Sequence, residues 1–176
     1  IRESLARFQD SVHLEVYKKL AFTDTMTSLA NRAAYERDLA VLKESLPLKE
    51  LTVIAFDLNN LKQTNDTLGH SVGDSLIIAS GRCIRESFSD LGDCYRIGGD
   101  EFCILTGGLG PQALEQCLND LESRISRYNA ENSLKLDIAW GFSHGPVNCP
   151  EDLDALLREA DKNMYTYKKH CHLENT

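Results

Sequence analysis

The stretch LTVIAFDL, residues 51–58, restricts the fold more than any other part of the chain. Its first six residues are mostly apolar and rich in β-branched side chains, a pattern typical of a buried strand. The run ends on a single acid, Asp57, and a carboxylate at the end of a buried strand is a candidate functional group. The sequence therefore predicts a sheet whose central strand carries an acid at its end.

The segments around this strand predict one compact domain of helices and strands. Apolar residues recur at helical spacing in four segments, which begin near Arg32, His70, Pro111 and Pro150. Alternating apolar residues over 134–142 predict another strand with one core face. The order is α, β, α, β-hairpin, α, β, α, which lets the helices cover one face of a mostly antiparallel sheet. This is an α+β arrangement within the broad α/β class.

A pair of glycines lies between two short apolar runs in the middle of the chain. The runs CYRI and FCILT flank the letters GGDE, which favours a two-residue β-hairpin because primed turns need positive φ angles. The hairpin tip carries Asp100 and Glu101. Taken alone, such an acid pair is usually a solvated turn. If the hairpin lies beside the central strand, however, its tip and Asp57 share one edge of the sheet.

The three carboxylates of Asp57, Asp100 and Glu101 predict a metal site at this edge. Carboxylates that lie close together repel each other, so a cation is expected between them. Oxygen ligands with no nearby Cys or His favour a hard ion such as Mg²⁺, with Mn²⁺ as a substitute, completed by substrate phosphates. We expect Asp100 to be a ligand and Glu101 to be a second ligand or a charge stabiliser.

Composition narrows the choice of partners and location. The 19 basic and 27 acidic residues give a net charge of -8, which opposes general attraction to nucleic acid. Four of the six cysteines lie in apolar runs and none forms a CxxC pair, which fits a reducing cytosol. No run is long enough to span a membrane. We expect a cytoplasmic segment without membrane contact. This is compatible with a membrane anchor in regions of the full-length protein outside this segment.

The stretch RIGGDEF, residues 96–102, resembles the signature of the GGDEF-domain diguanylate cyclases. Three other blocks resemble patterns of that family in the same order. They are DTMTSLANR (24–32), DLNNLKQTNDTLGHSVGD (57–74) and ADKNMYTYK (160–168), the last resembling ADxAMYxAK. The resemblance implies a palm-like nucleotide cyclase fold with a central sheet flanked by helices. It also implies condensation of two GTP into cyclic di-GMP with release of pyrophosphate, by a homodimer whose protomers each hold one GTP.

For the metal and the phosphates, the resemblance implies roles residue by residue. Asp57 and Asp100 would bind Mg²⁺ through their side chains, and Leu58 through its backbone carbonyl. Lys62 would contact phosphate and stabilise charge, and Lys168 would hold the terminal phosphate. Asp100 could be the general base, or the metal could lower the pKa of the attacking hydroxyl enough that no base is needed. The sequence leaves these two routes open.

For the base, the resemblance implies that Asn65 and Asp74 read guanine. An amide offers a donor and an acceptor, whereas a carboxylate accepts from the two donors on the guanine edge. Gly69 and Gly73 would form the turn that lets the ligand approach. His70 would touch substrate or, as an alternative, be a buried structural histidine.

The sequence departs from the family pattern at several positions. Asn59 replaces an acid and Leu61 replaces a phenylalanine, while His172 stands where a phosphate-binding arginine is expected. A neutral imidazole binds phosphate less well than a guanidinium, so we expect weaker triphosphate binding, most of all at alkaline pH. Ser89 and Gly92 replace the Arg and Asp of the RxxD product-inhibition motif, so no feedback site is expected there. These departures keep open a degenerate module that binds GTP or relays dimerisation without turnover.

The first 22 residues carry an apolar stripe at spacings of three and four. Its members are Ile1, Leu5, Phe8, Val12, Val16 and Leu20. The stripe predicts a helix that either packs on its own domain or forms a dimeric coiled coil. Because the chain starts at Ile1 rather than Met, we expect an upstream sensory domain. The predicted division is a signalling helix over 1–22 and a GGDEF catalytic domain over 23–176.

Overall fold

The computed structural model describes residues 19–88 and 91–174, with side chains described as far as Lys169. Its elements are α1 (Arg32–Glu44), β1 (Leu48–Leu58), α2 (Leu61–Leu68), α3 (His70–Phe88), β2 (Asp93–Arg96), β3 (Glu101–Thr106), α4 (Pro111–Glu131), β4 (Ile138–Val147) and α5 (Pro150–Glu174). Residues 19–22 are also helical. Most of the predicted signalling helix lies outside the described residues, so its two alternatives and the domain boundary at residue 22 stay predictions.

The four strands form one sheet in the order β2-β3-β1-β4. Every pairing is antiparallel, and β1 lies between β3 and β4. The predicted α+β class and the central place of the 51–58 strand are therefore confirmed. Because β3 runs back along β1 from the hairpin, the hairpin tip and the carboxyl end of β1 lie at the same edge of the sheet.

Helices cover both faces of the sheet, so the expectation that they cover one face was wrong. The helices α3 and α4 pack on one face, against Ile54 and Phe56. The helices α1 and α5 pack on the other face, against Val53 and Ala55. All residues over 51–56 are buried, and since successive strand side chains point to opposite faces, both faces need an apolar cover.

The hairpin forms as predicted, but its turn is wider than two residues. The strand β2 ends at Arg96 and β3 begins at Glu101, and the N–H groups of Ile97 and Gly98 both donate to the carbonyl of Glu101, at 3.0 and 3.3 Å. Neither Gly98 nor Gly99 has a positive φ, so the predicted primed turn was wrong. A Cβ at Gly98 would collide with the carboxylate of Glu101, which indicates that this glycine leaves room for that side chain.

The strand β4 begins later than the alternation of apolar residues predicts. Leu136 precedes β4 because both of its backbone groups bind the side chain of Asn129 on α4. The Asn129 amide accepts from the N–H of Leu136 at 2.7 Å and donates to its carbonyl at 2.8 Å. A side chain thus takes the place of a strand partner, and pairing with β1 begins at Ile138.

Two expectations from composition concern the cysteines and the membrane. Cys83, Cys94 and Cys103 are buried free thiols, and burial raises the pKa of Cys94 and Cys103 to about 12, as expected for small apolar side chains. Among the described helices, none has both the length and the apolar character that a membrane crossing requires. The cytoplasmic location stays a prediction.

Candidate active site

The carboxyl end of β1 and the hairpin tip are joined by backbone pairing. Asp57 is the register partner of Glu101, and the N–H of Leu58 donates to the carbonyl of Asp100 at 2.9 Å. Partners across an antiparallel pair point to the same face, so Asp57 and Glu101 lie on the side covered by α1 and α5. Asp100 precedes the strand, at the tip. The structure therefore brings the three predicted acids to one edge of the sheet.

The oxygen atoms at this edge suit a hard divalent cation. Within residues 19–88 and 91–174, no three His, Cys, Asp or Glu side chains are close enough to hold a metal, so Asp57, Asp100 and Glu101 do not form such a group. The ligand set implied by the resemblance needs two carboxylates and the carbonyl of Leu58. Three hard oxygen donors fit Mg²⁺, which keeps waters and substrate phosphates as its other ligands. The chemistry of these donors therefore fits Mg²⁺. Glu101 is not needed in this ligand set and stays a candidate charge stabiliser or second carboxylate ligand.

Lys168 of α5 also reaches this edge of the sheet. Its ammonium donates to the carboxylate of Asp57 at 2.5 Å, and the two side chains are 29% and 15% exposed. The two residues are 111 positions apart in sequence and meet because α5 covers the face toward which Asp57 points. An ammonium at this place can also bind a phosphate oxygen. Lys62 lies on α2, shortly after Asp57 in the sequence, and its side chain is exposed.

Asn65 and Gly73 form the contact between α2 and α3. The side-chain oxygen of Asn65 is buried and accepts no hydrogen bond within the described part of the chain. A Cβ at Gly73 would collide with this amide, so the glycine makes room for it. Leaving a buried acceptor unpaired costs about 1–3 kcal/mol, which favours a ligand that brings a donor to it. Asp74 follows Gly73 in sequence and is exposed. The turn therefore offers an amide oxygen and a carboxylate, and both groups accept hydrogen bonds of the kind that the donors on a guanine edge can make.

The turn between α2 and α3 depends on Gly69. Its φ of 91° lies in a region that other residues rarely adopt, and its N–H donates to the carbonyl of Asn65 at 3.0 Å to end α2. His70 then begins α3 and is exposed. The alternative that His70 is a buried structural residue was therefore wrong, and its contact with substrate stays a prediction.

Arg96 and Asp24 brace the hairpin, a role that the sequence did not reveal. The guanidinium of Arg96 donates to the carboxylate of Asp24 at 3.2 Å and to the carbonyl of Gly99 at 2.9 Å. Asp24 also accepts from the N–H and hydroxyl of Thr27, at 2.8 and 2.6 Å. Burial acts to raise the pKa of Asp24, but the bonds from Thr27 and Arg96 outweigh it and the pKa lies below its ordinary value. The available sequence signal for this pair was the opposite charge of the two residues, Asp24 in the block 24–32 and Arg96 in the block 96–102.

The departures from the family pattern lie in different surroundings. Asn59 is only 3% exposed, and neither atom of its amide has a hydrogen-bond partner within the described part of the chain. At Gly92, an added Cβ would lie 2.8 Å from the carbonyl oxygen of Leu105, which is unfavourable for an aspartate there. Ser89 and the side chain of His172 lie outside the part of the chain that the structure describes. The consequences for turnover and product inhibition stay predictions.

The comparison with known proteins agrees with these motifs. The family model "Diguanylate cyclase, GGDEF domain" matches residues 21–172. The diguanylate cyclase DgcS of Shewanella oneidensis is 32% identical over 152 residues, which cover 84% of this chain and 50% of that protein. The cyclic di-GMP phosphodiesterase PdeR of Escherichia coli is 31% identical over 156 residues, which cover 85% of this chain and 23% of that protein. The chain thus spans half or less of the length of these two curated relatives.

A solved structure has the same fold. It is the coiled coil and GGDEF domain of DgcB from Caulobacter crescentus in complex with c-di-GMP. The TM-score is 0.77 at 23% identity, and the match covers 96% of this chain and 92% of that one. The likeness shows that the antiparallel sheet with its flanking helices is shared.

Proposed function

The chain belongs to the GGDEF-domain family of diguanylate cyclases, and on that premise we propose that it condenses two GTP into cyclic di-GMP. In each of two steps, the 3′-hydroxyl of one GTP attacks the α-phosphate of the other. One P–O bond forms, the bond to the β-phosphate oxygen breaks, and pyrophosphate leaves in line. The observation that carries the proposal is Asp57, which lies beside the hairpin tip and already binds the ammonium of Lys168.

The residues at the sheet edge would hold the triphosphate and its cation. Asp57, Asp100 and the carbonyl of Leu58 would bind Mg²⁺, or Mn²⁺ in its place, which supplies charge neutralisation at phosphate and lowers the pKa of a nearby hydroxyl. Lys62 and Lys168 bring positive charge to the phosphate oxygens. Asp100 can accept the proton of the attacking hydroxyl, because a carboxylate at the open tip is accessible to it.

The α2–α3 turn would select guanine. The unpaired oxygen of Asn65 gains a donor when the base binds, and the carboxylate of Asp74 accepts from a second donor. Adenine lacks this pair of donors on the corresponding edge, so it would leave the buried oxygen of Asn65 unpaired. A base that leaves a buried polar group of the protein unpaired binds much more weakly, so such a site discriminates strongly between the two bases. Exposed His70 lies between these two residues in sequence and is a further contact in the proposal.

The reaction also requires a second protomer. One domain offers one such site, so two GTP must face each other across a two-fold axis in a homodimer. In this proposal the helix over 1–22 sets the spacing of the two halves, in response to an upstream sensory domain.

The test is product analysis of the purified chain with GTP and Mg²⁺ by mass spectrometry. We expect cyclic di-GMP and pyrophosphate from GTP, and no cyclic dinucleotide from ATP. Asp100→Ala should abolish the product. Asp93→Ala is the matched control, because Asp93 is an exposed acid at the far end of the same hairpin, and it should keep the activity. Product from Asp100→Ala, or none from the folded wild type, would refute the proposal.

A second candidate is a GGDEF module that binds GTP or relays dimerisation without turnover. It is favoured by Asn59, an uncharged residue where the family pattern has an acid, and by the similarity to PdeR, whose name is that of a phosphodiesterase. Calorimetry with GTP and Mg²⁺ separates the two candidates. Binding without any cyclic di-GMP would support the second candidate.

A further inference from the structure

The end of α5 is attached to the edge strand β4 by contacts in successive helical turns. A Cβ at Gly141 would collide with the backbone of Met164, so the helix lies directly against the strand there. The amide of Asn163 donates to the carbonyl of Phe142 at 2.8 Å. One turn later, Tyr167 stacks on Trp140, with ring centroids 4.5 Å apart and planes inclined by 34°. The last of these contacts lies next to Lys168.

The aromatic stack joins the two chain segments that carry the ion pair of the site. Trp140 is the register partner of Phe56, the residue before Asp57, and Tyr167 is the residue before Lys168. The stack therefore fixes the backbone of α5 relative to the end of β1, one residue from the 2.5 Å contact between ammonium and carboxylate. We propose that Trp140 and Tyr167 are positioning residues that hold Lys168 in place to bind nucleotide phosphate. This inference rests on the proposed function, because it assigns Lys168 to a phosphate.

The two rings lie at the margin of the core rather than inside it, and Trp140 packs with its partly buried ring against the cluster covered by α3 and α4. Both are only half-buried, at the open edge of the sheet. The fully buried residues of α5 are Leu153, Leu156 and Ala160. Beyond them, the partly buried Met164 packs against the cluster to which these three residues belong, about one turn before Lys168. The pattern ADxAMYxAK has alanine at the positions of Asn163 and Tyr167, and alanine could make neither contact. This chain thus holds the end of α5 with side chains of its own.

A fixed Lys168 should improve nucleotide affinity rather than the chemical step. A lysine side chain loses conformational freedom when it binds a phosphate. If the helix end that carries the lysine is already held in place, the entropy cost of ordering this region on binding is smaller. Loss of the stack should weaken binding by no more than loss of Lys168 itself. We expect about a 2- to 10-fold weaker affinity for GTP, the range that stacking of one aromatic pair gives.

The experiment measures binding of GTP with Mg²⁺ by calorimetry, together with KM and kcat. Tyr167→Leu should weaken binding and raise KM with little change in kcat, whereas Tyr167→Phe keeps the stacked ring and should bind GTP more tightly than Tyr167→Leu. Tyr165→Leu is the matched control, since Tyr165 is 56% exposed on the same helix, and its affinity should equal that of the wild type. Trp140 is the only tryptophan, so its fluorescence reports the stack directly, and its emission should change in Tyr167→Leu.

A double-mutant cycle shows whether Tyr167 acts through Lys168. In a Lys168→Met background, Tyr167→Leu should have no further effect on affinity, because the group that it positions is gone. Additive losses would overturn the inference, as would wild-type affinity in folded Tyr167→Leu. Trp140→Leu removes the stack from the strand side and should give the same cycle, which keeps the inference testable if one variant fails to fold.

The failure of this inference differs from the failure of the proposed function. A wild-type chain that binds no GTP would overturn both. A chain in which Lys168→Met weakens GTP binding but Tyr167→Leu does not would overturn only the positioning role. Thermal unfolding of each variant separates a shift in affinity from a loss of fold.

Discussion

The two halves of the site differ in whether the proposed ligand-binding group already has a partner within the protein. At the sheet edge, Asp57 is paired with Lys168, and Arg96 is paired with Asp24 and with the carbonyl of Gly99. At the α2–α3 turn, the buried oxygen of Asn65 has no partner in the described chain. The difference follows from charge, since an unpaired carboxylate in a largely buried place costs far more than an unpaired amide. At the sheet edge, here called the charged half, ion pairs hold Asp57 and Arg96 in place, although the Nε of Arg96 and the amide of Asn59 have no partner in the described chain. The α2–α3 turn instead keeps the unpaired amide oxygen of Asn65 as an acceptor for a ligand.

The largest expected effect concerns the charged half. Asp57→Asn removes a charge from the proposed cation site and removes the anionic partner of Lys168. We expect cyclic di-GMP formation to fall about 100-fold or more, as when one strong electrostatic group is removed from a reacting centre. Steady-state product formation by the folded variant measures this. Activity within a few-fold of the wild type would mean that the acid at the end of β1 has no part in the reaction.

The next effect concerns the α2–α3 turn and tests whether the unpaired oxygen of Asn65 binds guanine. Gly73→Ala places a Cβ where the amide of Asn65 now lies and should displace it. We expect GTP affinity to fall about 10-fold and the preference for GTP over ATP to shrink, because one buried hydrogen bond is lost. Gly110→Ala is the control, since a Cβ there meets nothing within 4 Å. Unchanged discrimination in Gly73→Ala would remove the turn from base selection.

A smaller effect is expected in stability, from the brace of the hairpin. Arg96→Gln leaves Asp24 without its cation and should lower the free energy of unfolding by about 1–3 kcal/mol near neutral pH. The control Arg32→Gln breaks an exposed pair with Glu36, which should cost less than about 0.5 kcal/mol. Chemical denaturation of both variants gives the comparison. Equal losses would show that the brace is an ordinary surface ion pair.

The same pair predicts a pH dependence with a definite sign. The folded-state pKa of Asp24 is lowered from its ordinary value of 3.8, so its contribution is complete above that pH and is lost as the pH falls through the lowered pKa. The stability difference between the wild type and Arg96→Gln should therefore shrink in acid below pH 3.8. A difference that grows on acidification would contradict the assignment.

The smallest effect separates the two glycines of the hairpin. Gly98→Ala should displace the carboxylate of Glu101 and reduce activity by a factor of about 2 to 5, the cost of a shifted flexible side chain. Gly99→Ala should be nearly neutral, because a Cβ there meets nothing within 4 Å and the φ of Gly99 is not positive. Rates measured side by side decide this. A larger loss at Gly99 would indicate that the tip changes shape during the reaction.

The fold was predictable where apolar periodicity determines it. The helices α3, α4 and α5 and the strand β1 follow from runs of apolar residues whose burial leaves few alternatives. The start of β4 was not predictable, because Asn129 captures the backbone of Leu136 through a tertiary contact. The hairpin turn was misjudged because two glycines were read as evidence of positive φ, whereas Gly98 makes room for Glu101.

The sequence predicted candidate site residues but not the contacts that connect distant parts of the chain. The motif blocks pointed to Asp57, Asn65 and Lys168 before any geometry was known. The pair of Arg96 with Asp24 and the stack of Trp140 on Tyr167 join distant parts of the chain. Neither pair has a spacing that a single sequence exposes, so only the folded chain shows them.

The most direct test of the central claim is the rate of cyclic di-GMP formation per protomer, measured with GTP and Mg²⁺ over a wide range of protein concentration. Two half-sites that each hold one GTP predict product whose rate per protomer rises with concentration until the dimer is complete. A folded chain that binds GTP yet forms no cyclic di-GMP at any concentration would contradict the account. A rate per protomer that does not change on dilution through dimer dissociation would contradict the half-site mechanism.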